Sequence, residues 1–192
     1  MGREFELKFS ATEAQQDAIR AKFGDFTEIT MATTYYDTPD HALAARHITL
    51  RQRLENGQPV CTVKTPHADG GRGEWELQWE DPATMVEALC NIGAPVELLV
   101  LTAGGIIPVC GARFTRLAKA ITLEGCTAEL ALDRGILMGG NRQIPLCEVE
   151  VELKSGADEA TISFARSLAV EFELIPQHQS KFRRAQKLAE EN

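Results

Sequence analysis

Late in the chain the sequence reads Glu148-Val149-Glu150-Val151-Glu152-Leu153-Lys154, with an ionisable group at every second position. A period of two belongs to a β-strand, whose side chains alternate between two faces. One face of this strand is charged throughout and the other aliphatic. The pattern recurs along the chain. Glu4, Glu6 and Lys8 form a row against Phe5, Leu7 and Phe9. Arg51, Arg53 and Glu55 form another, with Lys64 on the strand after it; Arg72, Glu74 and Glu76 stand opposite Trp75 and Leu77; Glu129 and Asp133 flank Ala131. Such rows ordinarily mark the solvent face of a one-sided antiparallel sheet. Three glutamates about 7 Å apart along one strand repel one another, however, and that costs stability unless cations lie between them. We therefore expect an α+β fold turned inside out: an antiparallel β-barrel, closed or nearly closed, with the charged rows lining its lumen and helices packed outside.

The intervening segments supply those helices. Ser10 or Thr12 caps a helix with the stripe Ala14, Ala18, Ile19 and Phe23, ended by Gly24. Strands are expected at 33–38, 48–55, 59–65, 74–80, 112–122, 127–133 and 146–154. Asn56-Gly57 is a two-residue hairpin signal, and Gly139-Gly140-Asn141 a turn. Helices are expected at 82–91, 95–103, 158–171 and 180–190. The run Gly70-Gly71-Arg72-Gly73 lies between strands, not at a helix start, so it is no nucleotide-binding loop. In the strand over 112–122, Arg113 and Lys119 share a face and Arg116 points the other way, unless a bulge intervenes.

Composition narrows the function. With 20 Lys and Arg against 28 Asp and Glu the net charge is −8 in 192 residues. That balance argues against sequence-independent nucleic-acid binding, which rests on excess positive charge. No run approaches the ~18 apolar residues of a membrane span, and the charged N-terminus is no signal peptide. The five cysteines include no CxxC pair, which points to a reducing cytoplasm rather than a disulfide framework or zinc ribbon. His41, His47, His67 and His178 show no metal or triad spacing. A lumen that clusters carboxylates with Arg and Lys suits a hard divalent cation and phosphate oxygens together. Phosphoryl transfer needs that combination, being mostly positioning and charge neutralisation.

The motifs also carry a family resemblance. Glu4-Phe5-Glu6-Leu7-Lys8 is the ExExK signature of the CYTH superfamily, the triphosphate tunnel metalloenzymes. TYYDTPD (34–40), LRQR (50–53), TVK (62–64), RGEWE (72–76), FTR (114–116), ELALDRG (129–135), CEVEVELKSG (147–156) and SKFRRA (180–185) follow in the family's order. The chain most resembles the bacterial inorganic triphosphatases, as one CYTH domain over 1–192 without a helical CHAD domain. The resemblance implies an eight-stranded antiparallel tunnel covered by helices, with a plug helix at about 179–190.

It also implies roles. Glu4, Glu6, Glu148, Glu150 and Glu152 look like divalent-metal carboxylates, and Glu129 and Asp133 match the family's ExxxD. Lys8, Arg51, Arg53, Lys64 and Arg72 look like the triphosphate clamp, with Arg116 favoured over Arg113 as the lumen residue. Glu74 and Glu76 join Glu4, Glu6 and Lys8 in the catalytic group. Ser180 and Lys181 match the plug-helix motif, and we expect Ser180 to cap that helix and an exposed Lys181 to reach the phosphate chain at the tunnel mouth. The implied reaction is hydrolysis of inorganic triphosphate to pyrophosphate and phosphate with two Mg²⁺ or Mn²⁺ ions. The expected partner is a small-molecule triphosphate, with no nucleic acid and no membrane; a homodimer stays open. Alternatives are a class IV type adenylyl cyclase, a nucleoside or thiamine triphosphatase, and a non-catalytic polyphosphate- or nucleotide-binding module.

Overall fold

A computed structural model describes residues 5–66 and 72–190, apart from the Arg72 side chain. In chain order the elements are β1 (Glu6–Ser10), α1 (Glu13–Phe23), β2 (Thr27–Asp37), a 3₁₀ turn (Ala44–Arg46), β3 (Thr49–Glu55), β4 (Gln58–Pro66), β5 (Arg72–Gln78), α2 (Met85–Asn91), α3 (Glu97–Leu101), β6 (Ile107–Leu123), β7 (Cys126–Gly139), β8 (Arg142–Gly156), α4 (Asp158–Glu171), β9 (Ile175–Pro176) and α5 (Lys181–Glu190). Among the described residues the strands form one antiparallel sheet, ordered β5-β4-β3-β2-β6-β7-β8-β1-β9. The eight expected wall strands are present. The ninth is the two-residue β9, and among the described residues hydrogen bonds do not join β5 to β9, so the described wall is a wrapped sheet rather than a sealed barrel.

Alternation sets two faces. The outward face of β7, β8 and β1 offers Leu130, Leu132, Val149, Val151 and Phe9, which pack with Ile19 of α1 and Ala165 and Leu168 of α4. Val149 and Val151 are 0% exposed, and full burial of such a side chain stabilises the fold by about 1.5–3 kcal/mol. The outward face of β3, β4 and β5 is covered by α2 and α3 through Met85, Leu89 and Leu98. Thr12 caps α1 in a reciprocal capping box with Gln15.

The fifth helix departs from the expectation that every helix packs outside. Ala185 and Leu188 of α5 pack with Met31, Ala112, Phe114, Leu137 and Leu146, side chains of the inward face. A Cβ on Gly139 would lie 2.2 Å from the Ala185 carbonyl oxygen. Glycine at that site lets the helix backbone settle directly on the strand. The expected strand at 33–38 begins at Thr27, and that at 127–133 runs on to Gly139. No described helix is long and apolar enough to cross a membrane.

Candidate active site

The inward face of the sheet encloses a cavity of about 410 Å³, and every strand from β1 to β8 contributes to its wall. Its chemistry is divided. Arg51, Arg53 and Lys64 stand on β3 and β4, with Glu55, Glu74 and Glu76 beside them. Glu129, Glu150 and Glu152 stand on β7 and β8, next to Glu6 and Lys8 of β1. Between the two lie uncharged side chains of β2 and β6, among them Ile29, Met31 and Phe114.

On the basic side, Arg51 and Arg53 share one weak counter-ion. Their Nη2 atoms are 3.8 and 3.9 Å from Glu76 Oε2, which itself accepts a 2.8 Å hydrogen bond from Thr62 Oγ1. Arg53 also pairs with Glu55, and Lys64 Nζ lies 3.4 Å from Glu74 Oε1. Arg53 Nε is buried without a hydrogen-bond partner among the described residues. Burial, reinforced by the neighbouring Arg51 and Arg116 guanidinium groups, pushes the Arg53 pKa below its ordinary value despite Glu55 and Glu76. Excess, underused donors in one wall make a place for a multiply charged anion.

On the acidic side the register stacks like charges. Glu6 lies opposite Glu152, and Glu152 opposite Glu129. Like charges directly opposite are destabilising, and lysines relieve them: Lys8 Nζ is 2.9 Å from Glu6, and Lys154 Nζ is 2.9 Å from Glu152 and 3.8 Å from Glu129. Four residues along, Asp133 lies opposite Glu148. Asp133, Glu148 and Glu150 are buried and each offers an oxygen within 4.8 Å of the others.

Cations surround that last group. Arg116 forks onto Asp133 with bonds of 2.8 and 2.7 Å and reaches Glu150 at 2.5 Å. Lys181 Nζ lies 2.8 Å from Asp133, 2.7 Å from Glu148 and 2.6 Å from Glu150. Arg184 pairs with Glu148. Three carboxylates thus meet three cations. Burial alone would raise the Glu150 carboxyl, but Lys181 and Arg116 outweigh it and hold its pKa well below the usual range. Burial likewise disfavours the Lys181 ammonium, yet Asp133, Glu150 and Glu148 raise its pKa well above the ordinary lysine value.

Several expected residues therefore meet here. Glu6, Lys8, Arg51, Arg53, Lys64, Glu74, Glu76, Arg116, Glu129, Glu150, Glu152 and Lys181 all line the one cavity, and Asp133 and Glu148 lie behind it, against Lys181. Glu4 and the Arg72 side chain lie outside the described residues. Arg116 faces inward without any bulge: β6 pairs with β7 in unbroken register from Cys110 to Leu123. The irregularity falls instead between Tyr35 and Tyr36, where β2 meets β6. Ser180 caps α5, accepting from Arg183 N at 3.2 Å. Lys181 is not exposed as expected; its side chain is 11% accessible and committed to carboxylates.

Two contributors were absent from the candidate residues read in the sequence. Arg184 falls one turn after Lys181 on the same helix face, a spacing that signals a shared target. Gln16 lies in α1, on the far side of the wall, with no sequence signal beyond a polar residue in an apolar stripe.

The donor sets fit a divalent cation. Clustered carboxylate oxygens are the ligands of Mg²⁺ and Mn²⁺. A cation placed among Asp133, Glu148 and Glu150 and the Lys181 ammonium exclude each other; in the row Glu6, Glu129 and Glu152 the short ion pairs are to Lys8 and Lys154, with Arg116 Nη1 3.9 Å from Glu129.

The CYTH domain family matches residues 2–185. The inorganic triphosphatase of Haemophilus influenzae is 28% identical over 193 residues, covering 96% of this chain and 54% of that protein. The chain thus spans about half the length of this curated relative. Among solved structures, HpAC1 of Hippeastrum, described as an adenylyl cyclase candidate with a dominant triphosphatase activity, superposes with a TM-score of 0.68 at 18% identity, covering 97% of this chain and 96% of that one. The PH1819 protein of Pyrococcus horikoshii gives a TM-score of 0.64 at 22% identity, covering 98% and 99%. Both likenesses concern the fold.

Proposed function

The chain belongs to the CYTH domain family, and from that premise we propose that it hydrolyses inorganic triphosphate to pyrophosphate and phosphate with the help of a divalent cation. The observation that carries this reading is the underused donor set of Arg51 and Arg53, with Arg53 Nε unpaired, facing a wall of carboxylates across one cavity. The identity of the Haemophilus influenzae relative supports the choice of substrate.

In this reading the phosphate chain lies along Arg51, Arg53 and Lys64, with Lys8 and Arg72 completing the clamp. Glu4, Glu6, Glu129 and Glu152, with Asp133, Glu148 and Glu150 beyond them, are the groups that would hold Mg²⁺ or Mn²⁺, two ions in all. A bound cation neutralises phosphate oxygens and lowers the pKa of water. Water adds to the terminal phosphorus, the bridging P–O bond breaks, and its oxygen departs with pyrophosphate. The net proton released passes to solvent through the carboxylate row. Glu74 and Glu76 hold Lys64 and the two arginines in place and accept from water on the basic side. Residues 1–192 act as one domain, with α5 as the plug that closes one end of the cavity. Five unpaired thiols, with burial pushing Cys61 up to about 11 and Cys110 up to about 12, suit a reducing cytoplasm.

The test is a substrate panel. Purified protein is given triphosphate, ATP or thiamine triphosphate with Mg²⁺, Mn²⁺ or chelator, and phosphate, pyrophosphate and cyclic AMP are quantified. Preferential, chelator-sensitive cleavage of triphosphate is expected. Cyclic AMP as the main product would replace this reading by the cyclase.

A further inference from the structure

Gln16 is the polar side chain that α1 buries, 2% exposed, beside the apolar cluster that holds Ile19. A buried amide is costly unless its hydrogen bonds are made. Here Nε2 donates to the backbone carbonyl of Asp133 at 3.0 Å and to that of Glu148 at 2.8 Å. Its Oε1 accepts from Arg134 Nε at 3.0 Å. Arg134 in turn donates to the Glu13 carbonyl at 3.1 Å and to Asp17 at 2.9 Å, which fixes α1 over the strands.

The two carbonyls belong to residues that are direct partners on β7 and β8. Their side chains project through the sheet to the opposite face, where both carboxylates contact Lys181. One amide outside the wall therefore ties together the backbones of two acidic residues inside it. We propose that Gln16 is a positioning residue: by clamping β7 to β8 at this pair, it sets the spacing of the Asp133 and Glu148 carboxylates and so how well a divalent cation competes with the Lys181 ammonium for Asp133, Glu148 and Glu150. The inference rests on the proposed cation-dependent reaction for its functional consequence, but not for its geometry.

The basic wall has no part in the clamp. Loss of the amide should thus weaken cation binding while leaving recognition of the phosphate chain largely intact. Outer hydrogen-bonding partners of metal ligands typically change affinity by about 10–100-fold when removed. A residue that merely supports folding would instead lower the fraction of active protein, without moving either half-saturation point.

The experiment measures Mn²⁺ binding to substrate-free protein by electron paramagnetic resonance for wild type, Gln16→Met and Arg134→Met. Folding is checked by circular dichroism. Gln16→Met keeps the side-chain length and removes the clamp; Arg134→Met keeps the clamp but frees its orientation, and serves if the first variant does not fold. Weaker Mn²⁺ binding in Gln16→Met by about 10-fold or more, with a smaller shift in Arg134→Met and an unchanged KM for triphosphate at saturating Mn²⁺, is the expected result. Wild-type Mn²⁺ affinity in a folded variant would overturn the proposal. If the wild type binds Mn²⁺ but leaves triphosphate intact, the hydrolase reading fails while the clamp is still tested by the binding curves.

Discussion

Lys181 Nζ sits 2.6 Å from Glu150 Oε1, joining the first turn of α5 to the middle of β8. Neither residue is free to solvent: their side chains are 11% and 9% exposed. The same ammonium touches Asp133 and Glu148, so one cation holds three carboxylates and the helix that carries it. The acidic strand is tolerable in the folded chain because α5 and Arg116 bring it neutralising charge.

Removing that ammonium should be costly. Lys181→Met leaves the carboxylates short of one cation, and breaking a buried pair costs about 3–5 kcal/mol. Urea unfolding should show a loss of that order for Lys181→Met and almost none for Arg183→Met, whose side chain lies outside the cluster. The double variant Lys181→Met, Glu150→Gln should lose less than the sum of the singles. A Lys181→Met protein as stable as wild type would refute the lock.

The same pair fixes a pH profile. The Glu150 pKa is lowered on folding, so its contribution is complete above the unfolded carboxylate value of about 4.3 and fades as pH falls toward the folded one. The Lys181 pKa is raised, so its contribution is complete below the unfolded lysine value of about 10.4 and fades only as pH rises toward the folded one. Stability should therefore hold a plateau between those limits and decline below the acidic one. In Glu150→Gln the acid decline should be shallower, as read from urea midpoints across pH 3–7. An identical acid limb would remove Glu150 from the account.

Much of this arrangement is legible in the sequence, for a physical reason. A strand that faces a charged lumen shows its phase in every second residue, so the rows around Glu6, Arg51, Glu74 and Glu150 declare both strand and site. Where the lumen wall is apolar the signal vanishes. Ile29 and Met31 face inward on β2 with no charge between them, so the first half of that strand shows no such phase. The ion pairs of Lys181 were not legible either. A basic helix start reads as a group awaiting an anion; only the topology shows that Asp133, Glu148 and Glu150 already face it. Gln16 gave no warning because its partners are backbone carbonyls.

Arg53 offers a test of function against stability. Its buried Nε lacks a partner, and two like-charged guanidinium groups lower its pKa alongside burial. Arg53→Met should thus leave the unfolding midpoint unchanged or raised. Its kcat/KM for triphosphate should fall by about 10–100-fold, since a hydrogen bond to a charged group is worth about 1.5–3 kcal/mol. A variant that loses stability but keeps its catalytic efficiency would reverse the assignment of Arg53 from substrate to scaffold.

Gly139 is the seat of α5. A side chain there would overlap the Ala185 carbonyl and the Ala189 amide nitrogen, 2.2 and 2.7 Å from an added Cβ. Gly139→Val should displace the helix. Hydrogen exchange should then be faster in 181–190 than in wild type, while β3 and β4 keep their protection. Unchanged exchange throughout α5 would show that the helix does not depend on this close approach.

Phosphorus NMR of the purified protein with triphosphate and Mg²⁺ or Mn²⁺ shows whether the cavity hydrolyses triphosphate. One phosphate and one pyrophosphate are expected for each triphosphate consumed, and both should disappear with chelator and in Glu6→Ala. Triphosphate that persists unchanged with either cation, under conditions where the protein is folded, would contradict it.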